Sequence, residues 1–121
     1  MIHRFEDLKI WQESRIICQE IFLSTTQTPF NRDYFLVDQI RRSSGSVMDN
    51  IAEGFGRKST KEFIVFLHYS KGSLLESKSQ IYRAQDRKYI HSNHATELLN
   101  KLTTLNNRIG AFIQYLKKSG F

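Results

Sequence analysis

Few residues in this chain carry the thiol or imidazole groups that bind zinc and that often act as catalytic nucleophiles or bases. They are one cysteine and four histidines: Cys18, His3, His68, His91 and His94. These residues lack the paired spacing of zinc sites, and a single His-x-x-Glu, the reverse of the di-iron motif, is too little for a metal centre. The sequence also lacks a P-loop, a nucleophile elbow and a dinucleotide fingerprint. It therefore predicts no catalytic residue, no metal and no cofactor.

One pair of residues is nevertheless compatible with catalysis. Arg87 is followed by six residues and then His94, a separation found in small helical ribonucleases of the HEPN type. In such an enzyme the histidine acts as a base toward the ribose 2′-hydroxyl, and the arginine stabilises charge on the phosphate. Here the two residues fall on either side of a predicted turn. A ribonuclease therefore stays an alternative to the non-enzymatic interpretation.

The basic residues are more informative. The net charge is +6, and residues 61–121 carry ten Lys and Arg against four Asp and Glu, whereas residues 1–60 carry eight of each. A basic half attracts nucleic acid, an acidic protein or an anionic membrane, and the alternative is an ordinary solvated surface. We predict a phosphate-binding surface for RNA or DNA, without base specificity. The residues assigned to it are Arg57, Lys58, Lys61, Lys71, Lys78, Arg83, Arg87 and Lys88.

Apolar residues recur at three- and four-residue intervals along most of the chain, which is the period of an amphipathic helix. The pattern predicts helices over about residues 6–24 and 34–55, from a Ser59–Glu62 capping box to about Lys88, and from about Ser92 onward. Short connections make neighbouring helices antiparallel. We therefore predict an all-α fold, an antiparallel up-down-up-down four-helix bundle that forms a single domain over residues 1–121.

The helix patterns also assign core faces and helix ends. Core residues are expected at Leu8, Trp11, Cys18, Ile21 and Phe22 in the first helix, at Phe63, Leu67, Ser70, Leu74, Ser77, Ile81 and Ala84 in the third, and at Ala95, Leu98, Leu102, Leu105, Ile109, Phe112 and Leu116 in the fourth. Gly54 and Gly56 are expected to end the second helix through left-handed conformations. Apolar residues beside these faces indicate self-association: Phe66, Tyr69, Leu75, Tyr82, Leu99 and Ile113.

Several features indicate a reducing compartment. Cys18 cannot form an intramolecular disulfide, and its place on an apolar helix face predicts an inert thiol. The N-terminal residues are too charged for a signal peptide, and no apolar stretch is long enough for a membrane span. A cytoplasmic protein with no membrane partner is therefore expected.

The central stretch of the chain resembles a known family. The residues that carry the resemblance are Phe5–Glu6–Asp7–Leu8, Trp11, Gln12, Gln39–Ile40–Arg41–Arg42, Ser46, Asn50–Ile51–Ala52–Glu53–Gly54, Gly56–Arg57, Ser59, Glu62–Phe63, Phe66–Leu67, Gly72–Ser73–Leu74, Glu76 and Gln80. They resemble the four-helix-bundle proteins encoded by intervening sequences in bacterial 23S ribosomal RNA genes, and the related accessory proteins of diversity-generating retroelements. The resemblance implies a homopentamer, RNA or DNA binding by a basic surface and, in the retroelement branch, a reverse transcriptase partner. It implies no secure enzymatic activity.

The polar residues of this motif have two interpretations. They would form a buried binding or catalytic cluster, or they would cap or cross-link neighbouring helices or subunits. We favour the structural role, because a buried carboxylate must be paired with a cation. The residues assigned to it are Arg41, Arg42, Asn50, Glu53, Gly54 and Glu76. The chain also departs from the family at Ser43–Met48, which replaces a segment ending in proline, so the second helix is expected to bend differently.

Overall fold

The computed structural model describes residues 2–120, and this range is built from helices. It contains four α-helices: α1 spans Lys9–Thr25, α2 spans Tyr34–Gly56, α3 spans Thr60–Asp86 and α4 spans Ser92–Ser119. Short 3-10 turns at Phe5–Asp7 and Phe30–Arg32 precede α1 and α2. No strand occurs within residues 2–120, so the predicted all-α class is confirmed. None of the helices in this range is long and apolar enough to cross a membrane.

The four helices pack in chain order, each against the next, with α4 returning to contact α1. Neighbouring helices run in opposite directions, as the predicted up-down-up-down bundle requires. The contact between α2 and α3 is the most extensive, and α1 and α3 occupy diagonal corners. One end of the bundle, which we call the turn end, contains the α2–α3 turn and the C-terminus of α4. The opposite end contains the α1–α2 and α3–α4 connections.

The predicted core face is confirmed in α3, where every expected position is buried. In α1 the prediction was wrong for Phe22, which is exposed, whereas Ile10 and Ile17 are buried. Serines also lie on this buried face, because their hydroxyls return to backbone carbonyls one turn earlier: Ser14 Oγ donates to Ile10 O at 2.6 Å. In α4, the prediction that Ile113 lies beside the core was wrong, since Ile113 is buried, whereas Phe112, expected in the core, is half-buried.

The predicted start of the first helix differs from the structure, whereas the predicted start of the third helix agrees with it. The first helix was expected from residue 6, but Leu8 adopts an extended ψ of 125°, so α1 begins at Lys9. The preceding 3-10 turn is held by an edge-to-face contact between Phe5 and Trp11, with ring centroids 5.0 Å apart. The predicted cap of the third helix is confirmed, since Ser59 Oγ accepts a hydrogen bond from the Glu62 backbone N–H at 3.3 Å.

Gly54 and Gly56 do not have the predicted left-handed conformation. Both lie inside α2, and the left-handed residue of the turn is Lys58, with φ of 55°. Gly54 is instead required for packing, because a Cβ there would lie 2.6 Å from the Phe66 Cβ of α3. The glycine therefore permits the close approach of two helices rather than a change of chain direction.

Serine hydroxyl groups line the interface between α2 and α3. Ser43 Oγ lies 2.8 Å from Ser77 Oγ and donates to Gln80 Oε1 at 2.5 Å. Ser73 Oγ donates to Ser46 Oγ at 3.0 Å. Since serines are small, they allow the backbones to approach, and their mutual hydrogen bonds satisfy the buried polar atoms. This interface fixes the rotation of α3 and hence the direction in which its lysines point.

Candidate nucleic-acid interface

Two lysines of α3 lie along the seam with α4. Lys78 Nζ donates a hydrogen bond to Thr103 Oγ1 at 2.9 Å. Two helical turns away, Lys71 extends over Gly110, with its Nζ 3.1 Å from the position that a Cβ would occupy there. The two lysines are seven residues apart, as are Thr103 and Gly110, so the antiparallel helices keep one alignment along this seam.

The same alignment continues to the turn end of the bundle. One further seven-residue step along α4 reaches Lys117, in its last turn. The ends of the helices agree with this step, since Thr60 Oγ1 lies 3.9 Å from the Cβ position of Gly120. Lys61 follows Thr60 in the first turn of α3. We refer to this set as the lysine row: Lys61, Lys71, Lys78 and Lys117.

The lysine row differs electrostatically from the side of α4 that faces α1. On the α1 side, Lys101 Nζ lies 2.8 Å from Glu20, and Arg108 pairs with Glu13. No member of the lysine row forms an ion pair within residues 2–120. Lys71 and Lys78 are half-buried, as is typical of lysines whose aliphatic stems lie along the protein while the amines reach the solvent. The row is therefore a positive strip beside a neutralised one.

The remaining predicted cations at the turn end are Arg57 and Lys58. Arg57 pairs with Glu53 at 3.0 Å, and its guanidinium lies 4.8 Å from the centre of the Phe66 ring. Lys58 is exposed and forms no ion pair among the described residues. Of these two residues, Lys58 thus keeps its charge for a ligand, while Arg57 holds α2 to α3.

Three predicted cations lie toward the other end of α3, away from the turn end. Arg83 faces α2, where it donates to Gln39 Oε1 at 2.9 Å. Arg87 pairs with Asp33 at 2.8 Å, and Lys88 lies in the α3–α4 connection with φ of 61°. The structure therefore places Lys71 and Lys78 of the predicted set on one seam, and Lys61 near the C-terminal end of α4. It separates Arg83, Arg87 and Lys88 from these lysines.

Sequence reasoning missed Lys117. Its signal is weak, because it depends on seven-residue steps through Thr103 and Gly110, which are not basic. The steps point to Lys117 only once the structure shows that Thr103 lies beside Lys78 and Gly110 beside Lys71.

The motif residues lie mainly at helix contacts. Arg41 Nε donates to Thr25 Oγ1 of α1 at 2.9 Å, which joins α2 to α1. Asn50 donates to Ser46, one turn earlier in the same helix. Glu53 and Glu76 are exposed, so the buried carboxylate cluster considered from the sequence is wrong. An exposed carboxylate does not require a partner, because water solvates its charge. Glu53 nevertheless pairs with Arg57.

Arg42 also stays on its own helix, where its Nε lies 2.9 Å from Asp38. The pair is exposed on both sides, so it contributes little to stability.

Arg87 and His94 are held by different helices. Arg87 contacts Asp33, the residue that caps α2, whereas His94 Nε2 lies 2.7 Å from Ser24 Oγ of α1. Tyr89 donates to the same Asp33 oxygen at 2.8 Å. This hydrogen bond, with those from the Leu36 N–H and from Arg87, lowers the pKa of the Asp33 carboxyl below its ordinary value. The arginine thus belongs to a structural cluster.

Other chemistry-bearing groups are dispersed in the described structure. Within residues 2–120, no group of three or more His, Cys, Asp and Glu side chains is placed to hold a metal ion. Cys18 is half-buried rather than fully buried, and burial raises the pKa of its thiol. The neutral thiol is a poor nucleophile, which agrees with an inert cysteine.

Fold and surface together define a class of protein: an antiparallel four-helix bundle with a hydroxyl-lined α2–α3 interface and a basic strip on α3 and α4. Residues 6–111 match the 23S rRNA-intervening sequence proteins, and the chain belongs to this family. The predicted family is therefore confirmed, while the relation to retroelement accessory proteins stays a prediction. No curated protein matches the chain in sequence.

A solved structure has the same fold. It is the crystal structure of a protein with unknown function from the S23 ribosomal protein family of Bacteroides thetaiotaomicron VPI-5482. The TM-score is 0.78 at 20% sequence identity, and the match covers 86% of this chain and 97% of that chain. At this identity the similarity concerns the fold alone.

Proposed function

We propose that this protein is a non-enzymatic, homo-oligomeric bundle that binds RNA or DNA by the phosphate backbone. The observation that carries the proposal is the lysine row, four amines without a carboxylate partner among the described residues. A nearby side of the same helix α4 has its cations neutralised by α1. The lysine row thus contributes four unpaired positive charges beside a side of α4 whose cations are paired.

The spacing of the row suits a backbone. Lys71 and Lys78 are seven residues apart, and seven residues advance a helix by about 10 Å. A chain of phosphates laid along the α3–α4 seam meets an amine at each such interval. Lysine acts as a flexible point charge, so the contact tolerates single-stranded, duplex or folded nucleic acid. Contacts of this kind position a ligand without reading its bases.

A comparison of two double variants tests the proposal. Lys71→Gln/Lys78→Gln removes two charges from the row, and Lys101→Gln/Arg108→Gln removes two charges from the paired side of α4. Both variants have the same net charge. Fluorescence anisotropy at low salt, with labelled RNA and DNA, should show much weaker binding for the first variant than for the second. Equal weakening in both variants would mean that net charge, and not the row, attracts the ligand.

The oligomer we propose is a ring, as the family resemblance implies for a homopentamer. Two apolar faces on diagonal helices support it. Ile16 and Leu23 are more than half exposed on α1, and Val65, Leu75 and Tyr82 are exposed on α3. A cyclic ring needs two different surfaces on each subunit, one for each neighbour. Faces on opposite corners of the bundle meet that requirement, whereas a two-fold dimer would use one face with itself.

A protein partner is a further part of this proposal. The predicted relation to retroelement accessory proteins makes a reverse transcriptase the partner to test, with the nucleic acid held between the two. A pull-down with purified protein, with and without nuclease treatment, separates the cases. Loss of the enzyme after nuclease treatment indicates bridging by nucleic acid. Retention would favour a direct adaptor role.

A further inference from the structure

A polar groove of about 310 Å³ lies along the interface between α2 and α3. Its lining residues are Gln39, Arg42, Ser43, Ser46, Ser73, Glu76 and Gln80. All of them except Ser43 belong to the residues that carry the family resemblance. Arg42 and Glu76 are exposed, so the core does not depend on them. The motif residues therefore meet at a surface groove that is separate from the lysine row.

Gln80 presents an unpaired amide nitrogen to this groove. The residue is only 6% exposed, and its Oε1 lies 2.5 Å from Ser43 Oγ. That separation is normal for an O–H···O hydrogen bond and too short for an N–H···O bond, so the oxygen, and not the nitrogen, faces Ser43. The Gln80 Nε2 makes no hydrogen bond within residues 2–120. It retains solvent contact, since the fully buried side-chain atoms without a partner in this range are Glu13 Oε1 and Asn106 Oδ1.

Two charged residues of opposite sign flank this amide. On α2, the Arg42 Nε bonds to Asp38 at 2.9 Å, and the terminal amino groups of Arg42 have no partner among the described residues. On α3, Glu76 forms no ion pair within residues 2–120. Glu76 lies one helical turn from Gln80, which places their Cβ atoms about 5–6 Å apart. The groove thus offers free donors beside a free carboxylate acceptor.

The groove and the lysine row lie on opposite sides of α3. Lys78 donates to Thr103 of α4, whereas Gln80, two residues further on, contacts Ser43 of α2. The residue between them, Ser79, is small and exposed. A helix with its side chains is about 10–12 Å wide. A strand whose phosphates follow the lysine row can therefore cross α3 and place a base in the groove without displacing a large side chain.

We infer that the groove binds one unpaired guanine base of the nucleic acid that follows the lysine row. Gln80 Nε2 donates to guanine O6, the Arg42 guanidinium donates to N7, and the Glu76 carboxylate accepts from N1–H and the 2-amino group. Arginine is the commonest partner of the O6/N7 edge, and proteins read unpaired bases on both of these edges. The inference rests on the proposed function and adds base recognition to it.

The charges and the volume of the groove favour a base over a phosphate. The charged lining residues are one cation and one anion, so the groove carries no excess of positive charge. The Glu76 carboxylate would repel a phosphate, whereas it attracts the N–H groups of a neutral base. The volume of about 310 Å³ is at the lower end of the range for small-molecule sites.

The same hydrogen bonds discriminate against other bases. Adenine and cytosine carry an amino group where guanine carries O6, so a donor would face the Gln80 amide. Both also present an unprotonated ring nitrogen to the Glu76 carboxylate. Uracil presents O4 and N3–H correctly but lacks N7 and the 2-amino group. We therefore expect the order guanine, then uracil, then adenine and cytosine.

Titration of the full-length protein with guanosine 5′-monophosphate tests the site. The measurement is the shift of the Gln80 side-chain amide in a ¹H–¹⁵N spectrum, with the uridine, adenosine and cytidine monophosphates as parallel probes. We expect a saturable shift with the guanosine nucleotide and at least about tenfold weaker binding of the adenosine and cytidine nucleotides. Equal affinity for all four nucleotides, or no saturable shift with guanosine monophosphate, would overturn the inference.

Inosine 5′-monophosphate, which lacks the 2-amino group, tests the role of Glu76. Wild type should bind it about fivefold more weakly than guanosine monophosphate. Glu76→Gln should reduce this difference to less than about twofold. Glu62→Gln is the matched control, because Glu62 is also an exposed carboxylate of α3 without an ion pair among the described residues, and it should keep the difference. A difference that persists in Glu76→Gln would overturn the assigned contact.

The role of Arg42 is tested in the same way with 7-deazaguanosine 5′-monophosphate, in which a C–H group replaces N7. Wild type should bind this nucleotide about fivefold more weakly than guanosine monophosphate, and Arg42→Gln should bind the two equally. Arg42 is exposed, so the variant is expected to fold. An equal loss on removal of N7 in both proteins would contradict the contact.

Failure of this inference is distinguishable from failure of the proposed function. The lysine row predicts that a guanine-free strand such as oligoadenylate still binds at low salt, but more weakly than a strand of equal length that contains guanine. Equal binding of the two strands would overturn the guanine site and leave the proposed function intact. Absence of binding for both strands would contradict the proposed function itself.

Discussion

A Cβ placed on Gly54 of α2 would lie 2.6 Å from the Cβ of Phe66 on α3, closer than packed carbon atoms can approach. The absence of a side chain at Gly54 therefore allows α2 and α3 to approach closely at this point. The serine contacts at Ser43 and Ser77 continue the same interface toward the opposite end. The lysine row depends on this interface, because the rotation of α3 decides which of its residues face α4.

The first prediction concerns Gly54→Ala. The added methyl group forces α2 and α3 apart, so we expect the free energy of unfolding to fall by about 1–3 kcal/mol. Gly45→Ala is the matched control, since no atom lies within 4 Å of a Cβ at that position of the same helix. It should stabilise the protein by about 0.5–1 kcal/mol, because alanine is the better helix former. Urea titrations measure both, and a stabilising Gly54→Ala would refute the close contact.

The second prediction concerns the hydroxyl cluster. Ser43→Ala leaves Ser77 and Gln80 without their shared partner in a buried site, so we expect a cost of about 1–3 kcal/mol. Ser77→Ala should have a similar cost. The double variant should lose less than the sum of the two, since it removes both members of one contact. Strictly additive losses in a double-mutant cycle would show that the two serines act independently.

The third prediction concerns the Asp33 cluster. The Tyr89 hydroxyl is the main cause of the lowered pKa of Asp33, so Tyr89→Phe should raise that pKa toward its ordinary value. Carboxyl ¹³C shifts followed against pH measure it directly. An unchanged pKa would mean that the Leu36 N–H and Arg87 suffice.

The Asp33 cluster also predicts how stability depends on pH. A lowered pKa in the folded state means that the contribution is complete above about pH 4 and is lost as the pH falls through the folded-state value. Asp33→Asn keeps a good helix cap while removing the charge. The difference in unfolding free energy between wild type and this variant should thus be constant near neutrality and shrink in acid. A difference that grows in acid would have the wrong sign.

The fourth prediction concerns the ring. Leu75→Glu disrupts the α3 face, and Ile16→Glu disrupts the α1 face, so each variant alone should be monomeric. An equimolar mixture retains one intact pair of faces and should stop at a dimer. Light scattering measures the masses, with a protomer of 14.3 kDa and a wild-type assembly of five protomers expected. A wild-type monomer at micromolar concentration would contradict the ring.

The core face of α3 could be predicted in full from the sequence, whereas that of α1 could be predicted only in part. In α3, apolar and serine positions follow three- and four-residue steps without interruption, and all of them are buried. In α1 the largest residues, Trp11 and Phe22, lie beside the core, while isoleucines and small hydroxyl residues occupy it. Residue size outweighed periodicity in that prediction. A serine can be buried when its hydroxyl bonds to a backbone carbonyl one turn earlier, and a pattern of apolar residues does not reveal such positions.

The candidate site divides in the same way. Lys71 and Lys78 could be placed together because their separation within one helix is fixed by its geometry. Lys117 could not, because its position depends on how α4 is aligned with α3. The removal of Arg87 from the predicted surface depends on Asp33, fifty-four residues away in sequence. Contacts between residues on different helices, such as that of Arg87 with Asp33, produce no periodic pattern in the sequence.

The salt dependence of nucleic-acid binding tests the central claim most directly. The variant Lys61→Gln/Lys71→Gln/Lys78→Gln/Lys117→Gln removes the whole lysine row. In wild type, the logarithm of the binding constant should fall linearly with the logarithm of salt concentration. Each phosphate contact on a single strand contributes about 0.7 to the steepness of this slope. The loss of all the lysines of the row should therefore make the slope shallower by about 3 in the variant. An equal slope in the two proteins, or no wild-type binding at low salt, would contradict the account.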